Sequence, residues 1–78
     1  MTNNTITGKV TATSHAGASY YGNPAYWLTI TTDAGDTLTL RTSADVSFGY
    51  SCTNQEYREA DHVFHLTRAG RIRYATAL

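Results

Sequence analysis

The chain has 78 residues, six Lys and Arg against six Asp and Glu, one Cys and one Trp. That length makes a single domain over residues 1–78 with a thin core, because so short a chain buries little more than ~60% of the surface it exposes when unfolded. A lone Cys excludes an intramolecular disulfide, and zero net charge argues against broad non-specific DNA binding, which needs many phosphate contacts.

The chain starts Met1-Thr2-Asn3-Asn4-Thr5, with no apolar signal segment and no membrane-length run. The cytoplasm is therefore the expected location, and no membrane contact is expected. Ile6 to Thr13 reads as the first strand, with Ile6, Val10 and Ala12 on one face and Gly8 marking a bend or bulge within it. A polar loop over Ser14 to Pro24 follows. The second strand is Ala25 to Thr32, with Tyr26, Leu28 and Ile30 inward and Trp27, Thr29 and Thr31 outward. The third is Thr37 to Thr42, with Leu38 and Leu40 inward. Thr crowds this hairpin because a β-branched polar residue suits the solvated face of a half-buried sheet.

Residues 43–50 alternate at Val46, Phe48 and Tyr50 like a strand. They also fit a short helix capped by Ser43, with Asp45 in its first turn and Gly49 at its end, and the helical turn is the reading adopted. Cys52 to Asp61 reads as a polar connection. The fourth strand is His62 to Thr67 and the fifth Arg71 to Thr76. The expected core is Ile6, Val10, Tyr26, Leu28, Ile30, Leu38, Leu40, Val46, Phe64, Leu66, Ile72 and Tyr74.

Two turns punctuate this order. Asp33-Ala34-Gly35-Asp36 joins the second and third strands, and Arg68-Ala69-Gly70-Arg71 joins the fourth and fifth. Alternating apolar residues around a short polar loop ending in Gly signal a β-hairpin, with Gly35 and Gly70 expected at φ > 0. The two loops read as different in length. Five strands with a bent first strand, and a short helix or turn near residues 43–50, predict an all-β fold. The expected form is a small OB-like five-stranded barrel, with an SH3-like barrel as the alternative.

Tyr21-Gly22-Asn23-Pro24-Ala25-Tyr26 continues through Asp33-Ala34-Gly35-Asp36 to Thr42-Ser43-Ala44-Asp45 and Phe48-Gly49-Tyr50. This stretch resembles small uncharacterised proteins encoded by phages that infect actinobacteria. The resemblance covers about the middle half of the chain. It implies a protein made in the cytoplasm of an infected host, and it brings no activity and no catalytic residues.

No catalytic motif stands out. His62 and His65, three apart on a strand, face opposite sides, and His15 and Cys52 add no metal-ligand spacing. No Gly-x-Ser-x-Gly elbow, Gly-rich phosphate loop or paired carboxylates appear. The expectation is therefore no enzyme, no catalytic residue, no metal and no cofactor. Two features point to binding instead. Tyr20, Tyr21 and Trp27 cluster where the first loop enters the second strand, and Tyr20 or Tyr21 packed over Trp27 as a loop anchor is the plain alternative. Arg68, Arg71 and Arg73 make a basic end: residues 62–78 carry +3, residues 33–61 carry −4 and residues 1–32 carry +1. The plain alternative there is three solvated arginines opposing those acids. The leading reading is a non-enzymatic module that contacts a protein partner or a second copy of itself, since Trp, Tyr and Arg are the residues enriched at interface hot spots. The second reading is single-stranded nucleic acid held on an OB-like face. The third is an inhibitor of a host enzyme.

Overall fold

The computed structural model describes residues 4–18, 23–43 and 46–78. Five strands form one antiparallel sheet: β1 (Thr5–Ala18), β2 (Pro24–Thr32), β3 (Thr37–Arg41), β4 (His62–Leu66) and β5 (Ile72–Ala77). Their order is β3-β2-β1-β4-β5. Strands β1 to β3 form a meander and β4 returns beside β1, which is the Greek-key order. The two outer strands meet at one point, where Thr42 forms a parallel bridge with Ile72 and the Ser43 N–H donates to the Ile72 carbonyl at 2.7 Å. Among the described residues no continuous ladder joins them, so the sheet there is curled but not closed.

β1 makes this order. It runs Thr5–Ala18 where the sequence suggested Ile6 to Thr13, and its two halves serve different neighbours. Thr5 to Gly8 pair with β4, and Gly8 to Ala18 pair with β2. Gly8 faces both Thr32 and His62, and a methyl group added there would press into the Thr31 carbonyl and stand 2.8 Å from Thr32 Cα. Glycine is required by that close backbone approach. The bulge itself falls at Thr11, between the Val10 and Ala12 pairings. It reverses the alternation, so Val10 is buried while Ala12, expected on the same face, is exposed.

The two hairpins share one turn. The Gly35 N–H donates to the Thr32 carbonyl at 2.9 Å, and the Gly70 N–H to the Thr67 carbonyl at 2.9 Å. The Thr32 N–H reaches the Asp36 carbonyl and the Thr67 N–H the Arg71 carbonyl, both at 2.7 Å. Thr32 Oγ1 accepts from the Asp36 N–H at 3.0 Å, and Thr67 Oγ1 from the Arg71 N–H at 3.1 Å. Gly35 and Gly70 stand at φ +94° and +86°, as expected. The loops therefore have the same length, contrary to the sequence reading, and each is a three-residue loop closed by glycine.

Between β3 and β4 the chain forms a 3-10 turn, Ser47–Tyr50, and a four-residue helix, α1 (Glu56–Glu59). The expected helical turn near residues 43–50 is thus present at its C-terminal half, while Ala44 and Asp45 lie outside the described residues. Gly49 packs against the Pro24 backbone, where a methyl group would collide with the Pro24 carbonyl. The stretch read as a polar connection contributes to the core through Cys52 and Tyr57. The core comprises Val10, Leu28, Ile30, Phe48, Cys52, Tyr57, Phe64 and Ile72, with Ile6, Tyr26, Leu40, Val46, Leu66 and Ala75 packed at its margin.

Two expected core residues lie outside it. Leu38 is 37% exposed, because β3 is an outer strand flanked by β2 on one side. Tyr74 is 45% exposed. A register shift at Arg73 puts Leu66 opposite Ile72 but His65 opposite Tyr74, so Ile72 and Tyr74 fall on opposite faces. Tyr74 stacks on His65 outside, with ring centroids 4.2 Å apart, and Ala75 takes the inward place opposite Phe64.

Candidate functional site

The outer face of the β2–β3 hairpin carries the strongest site. Trp27 is 43% exposed there, on the Thr-lined side where strand alternation placed it. Its neighbour across the hairpin is Arg41, and its neighbour on β1 is Ser14. The Thr42 N–H donates to the Tyr26 carbonyl at 2.9 Å, which makes Tyr26 and Thr42 a hydrogen-bonded pair and Trp27 and Arg41 a non-hydrogen-bonded one. Side chains at such paired positions leave the same face of the sheet, so Trp27 and Arg41 share one face from directly opposed positions. Arg41 Nε is buried with no hydrogen-bond partner, an unsatisfied donor on this face. Thr29 and Thr39 continue the face with hydroxyls 3.2 Å apart.

Arg41 was not among the residues singled out from sequence. Its position was readable: Trp27 lies five residues before Thr32 and Arg41 five after Asp36, and Thr32 and Asp36 close the turn. Counting outward from the turn finds the pair.

Of the other candidates, Arg71 is the one the described residues bring toward this end of the hairpin, through the Thr42–Ile72 bridge. Beyond Trp27 the pairings are His15 with Tyr26, Gly17 with Ala25 and Ala18 with Pro24. The connection carrying Tyr20 and Tyr21 starts there, and both tyrosines lie outside the described residues. Tyr26 is half-buried, edge-on to His15 at 5.3 Å. Thr42 ties this end to β5 through its bridge to Ile72, and its hydroxyl accepts from the Tyr26 N–H at 3.1 Å. Arg71 directly precedes Ile72. Arg68, Arg71 and Arg73 are all exposed, the first two on the β4–β5 turn and the third at the β5 bulge. Arg73 follows Ile72 and leaves along β5, away from Trp27.

Five of the six acids are among the described residues. Asp33 and Asp36 occupy the β2–β3 turn at the far end of the hairpin, and Glu56 and Glu59 sit on α1. Asp61 pairs with Lys9 at 3.6 Å. Arg41 and Arg71 each directly precede one of the two residues of the Thr42–Ile72 bridge, and Arg68 lies on the turn that Arg71 closes.

Three buried groups of the core, Cys52, Tyr57 and His62, lie apart from this face. Burial pushes the Cys52 thiol up to about 11, against a smaller opposing effect of a backbone hydrogen bond, so the neutral thiol dominates near pH 7. Burial and the neighbouring Glu56 carboxylate raise Tyr57 above its ordinary value, and a hydrogen bond with Ser51 acts the other way. His62 Nδ1 lies 2.9 Å from the Ala60 carbonyl, with its ring edge-on to Tyr57. Among the described residues no three His, Cys, Asp or Glu side chains are grouped to hold a metal ion, and no helix is long and apolar enough to cross a membrane.

No family model, curated protein or solved structure matches the chain.

Proposed function

We propose that the chain is a non-enzymatic, OB-like module that holds single-stranded nucleic acid across the β2–β3 face, as a phage-type accessory protein would. The observation that carries this reading is the register that sets an exposed Trp27 directly opposite Arg41 on that face. A base stacks on the indole because every base has a π-face, and the guanidinium meets the adjoining phosphate. The Greek-key order and the parallel contact of β3 with β5 support a partly open OB-like barrel. A simple meander such as the SH3-like alternative would place β4 beside β3 instead. In the OB-like form the ligand lies on strands β2 and β3, between the β1–β2 and β4–β5 loops. Those loops carry Tyr20, Tyr21, Arg68 and Arg71.

Trp27 is the one tryptophan, so its fluorescence reports directly on the site. Titration with a short single-stranded oligonucleotide at low salt is expected to quench it saturably. Trp27→Ala, followed through a labelled oligonucleotide, is expected to weaken binding by about 1–3 kcal/mol, the usual contribution of one base stacked on an aromatic ring. Absence of saturable quenching overturns the reading. A Trp27→Ala variant that loses stability but keeps full affinity makes the indole a loop anchor only.

A further inference from the structure

Among the described residues β5 is an outer strand, with one side unpaired beyond Ile72. Its first residue, Ile72, meets Thr42 and Ser43, and from there on β4 is the described element it packs along. The Leu66 N–H donates to the Asn4 carbonyl, which makes the even-numbered residues of β4 bond to β1 and the odd-numbered ones to β5. His65 opposes Tyr74 and Val63 opposes Thr76, so Tyr74 and Thr76 use their backbone groups on β4. The N–H and C=O of Ala75 and Ala77 therefore point to the open side. Exposed strand edges are ordinarily guarded by charge, proline or a bulge. After the bulge at Arg73 this edge reads Tyr74-Ala75-Thr76-Ala77-Leu78, with no charge and no proline. Tyr74 is 45% and Leu78 78% exposed.

We propose that this edge pairs with the same edge of a second copy, antiparallel and centred on Thr76. The centring follows from three constraints. Ser43 lies against the start of β5, so the added strand has to sit beyond residue 73. The hydrogen-bonded pairs have to use Ala75 and Ala77, and Ala75 opposite Ala77 of the second copy does so twice, giving four backbone bonds. The side chains have to match on each face. Residues directly opposite share a face, so Tyr74 covers Leu78 of the second copy, Thr76 meets its own counterpart, and Leu78 covers the second Tyr74. The most exposed apolar groups of the strand thus become each other's partners, and no charges are brought together. The far side of each tyrosine stays stacked on its His65. The contact is two-fold and isologous, and it leaves Trp27 and Arg41 open.

Sedimentation equilibrium of nucleic-acid-free protein tests the pairing. A contact this small sits at the weak end of specific interfaces, so a reversible dimer with Kd on the order of 100 μM is expected. Ala77→Pro removes an N–H that faces away from β4, and is expected to weaken dimerisation at least tenfold while circular dichroism and Tm stay near wild type. Thr76→Cys gives the register directly. Its two Cα atoms are expected about 4.5 Å apart across a non-hydrogen-bonded pair, within disulfide range, whereas Cys52 is buried. Mild oxidation should link Thr76→Cys into a covalent dimer much faster than Thr39→Cys, which lies on β3. A wild type that stays monomeric at about 1 mM, far above that Kd, overturns the pairing. Equal crosslinking of the two cysteine variants does so as well. Trp27→Ala should dimerise like wild type, which separates this contact from the nucleic-acid face.

Discussion

Gly8 and Gly49 show how single residues without side chains set the shape of this chain. Neither needs a positive φ; each sits where another backbone passes too close for a Cβ. At Gly8 the obstacle is the β2 backbone at Thr31 and Thr32, and at Gly49 it is Pro24. A backbone cannot swing aside as a flexible side chain does, so the strand or turn itself has to shift. Gly8→Ala and Gly49→Ala are each expected to cost about 1–3 kcal/mol in urea unfolding, the usual range for overpacking. If both variants unfold at the wild-type midpoint, β1 does not cross β2 this closely. Gly8 was visible in the sequence as an interruption of an apolar face. Gly49 was legible only as a helix end, because contact with residue 24 is a long-range fact that local pattern does not encode.

The elements were read best where local chemistry decides them. Thr32-Asp33-Ala34-Gly35-Asp36 and Thr67-Arg68-Ala69-Gly70-Arg71 close by the same hydrogen bonds, and the positive φ of both glycines followed from the sequence. What the sequence did not show was the first threonine, whose hydroxyl accepts from the amide four residues on in both turns. Removing that acceptor leaves a strand-end amide without its side-chain bond. Thr32→Val and Thr67→Val are each expected to cost about 0.5–1.5 kcal/mol, the net worth of one such bond. The Asp36 and Arg71 amides should exchange faster with solvent, as amide hydrogen exchange would record. Unchanged exchange at both amides would show that the backbone closes the turn alone. The strands were misread wherever a bulge intervened. One extra residue at Thr11 turned Ala12 outward, and another at Arg73 turned Tyr74 outward and Ala75 inward. An alternating pattern read along one strand has no way to register a residue that only the partner strand makes surplus. The four-residue helix α1 escaped notice for a related reason: it is too short to show a helical period, and Tyr57 is its one buried side chain.

At the scale of the whole molecule, zero net charge conceals a local grouping of arginines among the described residues. The charge runs noted along the sequence become places in space once Thr42 joins Ile72: Arg68 and Arg71 come to the Arg41 end of the hairpin, and Asp33 and Asp36 stay at the other. The basic residues of the candidate site were thus legible as a C-terminal cluster. Their link to this hairpin, and the part of Arg41, depended on pairing between strands far apart in sequence. This arrangement sets a quantitative expectation. A ligand held by broad attraction would follow net charge and bind weakly at any salt concentration, whereas one held by three local arginines releases about three counterions. For single strands the slope of log K against log salt is roughly −0.7 per phosphate contact, so Arg41, Arg68 and Arg71 together predict about −2. Replacing Arg68 and Arg71 with Ala should bring the slope to about −0.7 and weaken binding alike for all sequences, because phosphate contacts carry no base preference. Trp27→Ala should lower affinity at every salt concentration and leave the slope near −2, since stacking releases no ions. A wild-type slope near zero would remove the phosphates from the contact and leave an aromatic-centred protein partner as the occupant of this face.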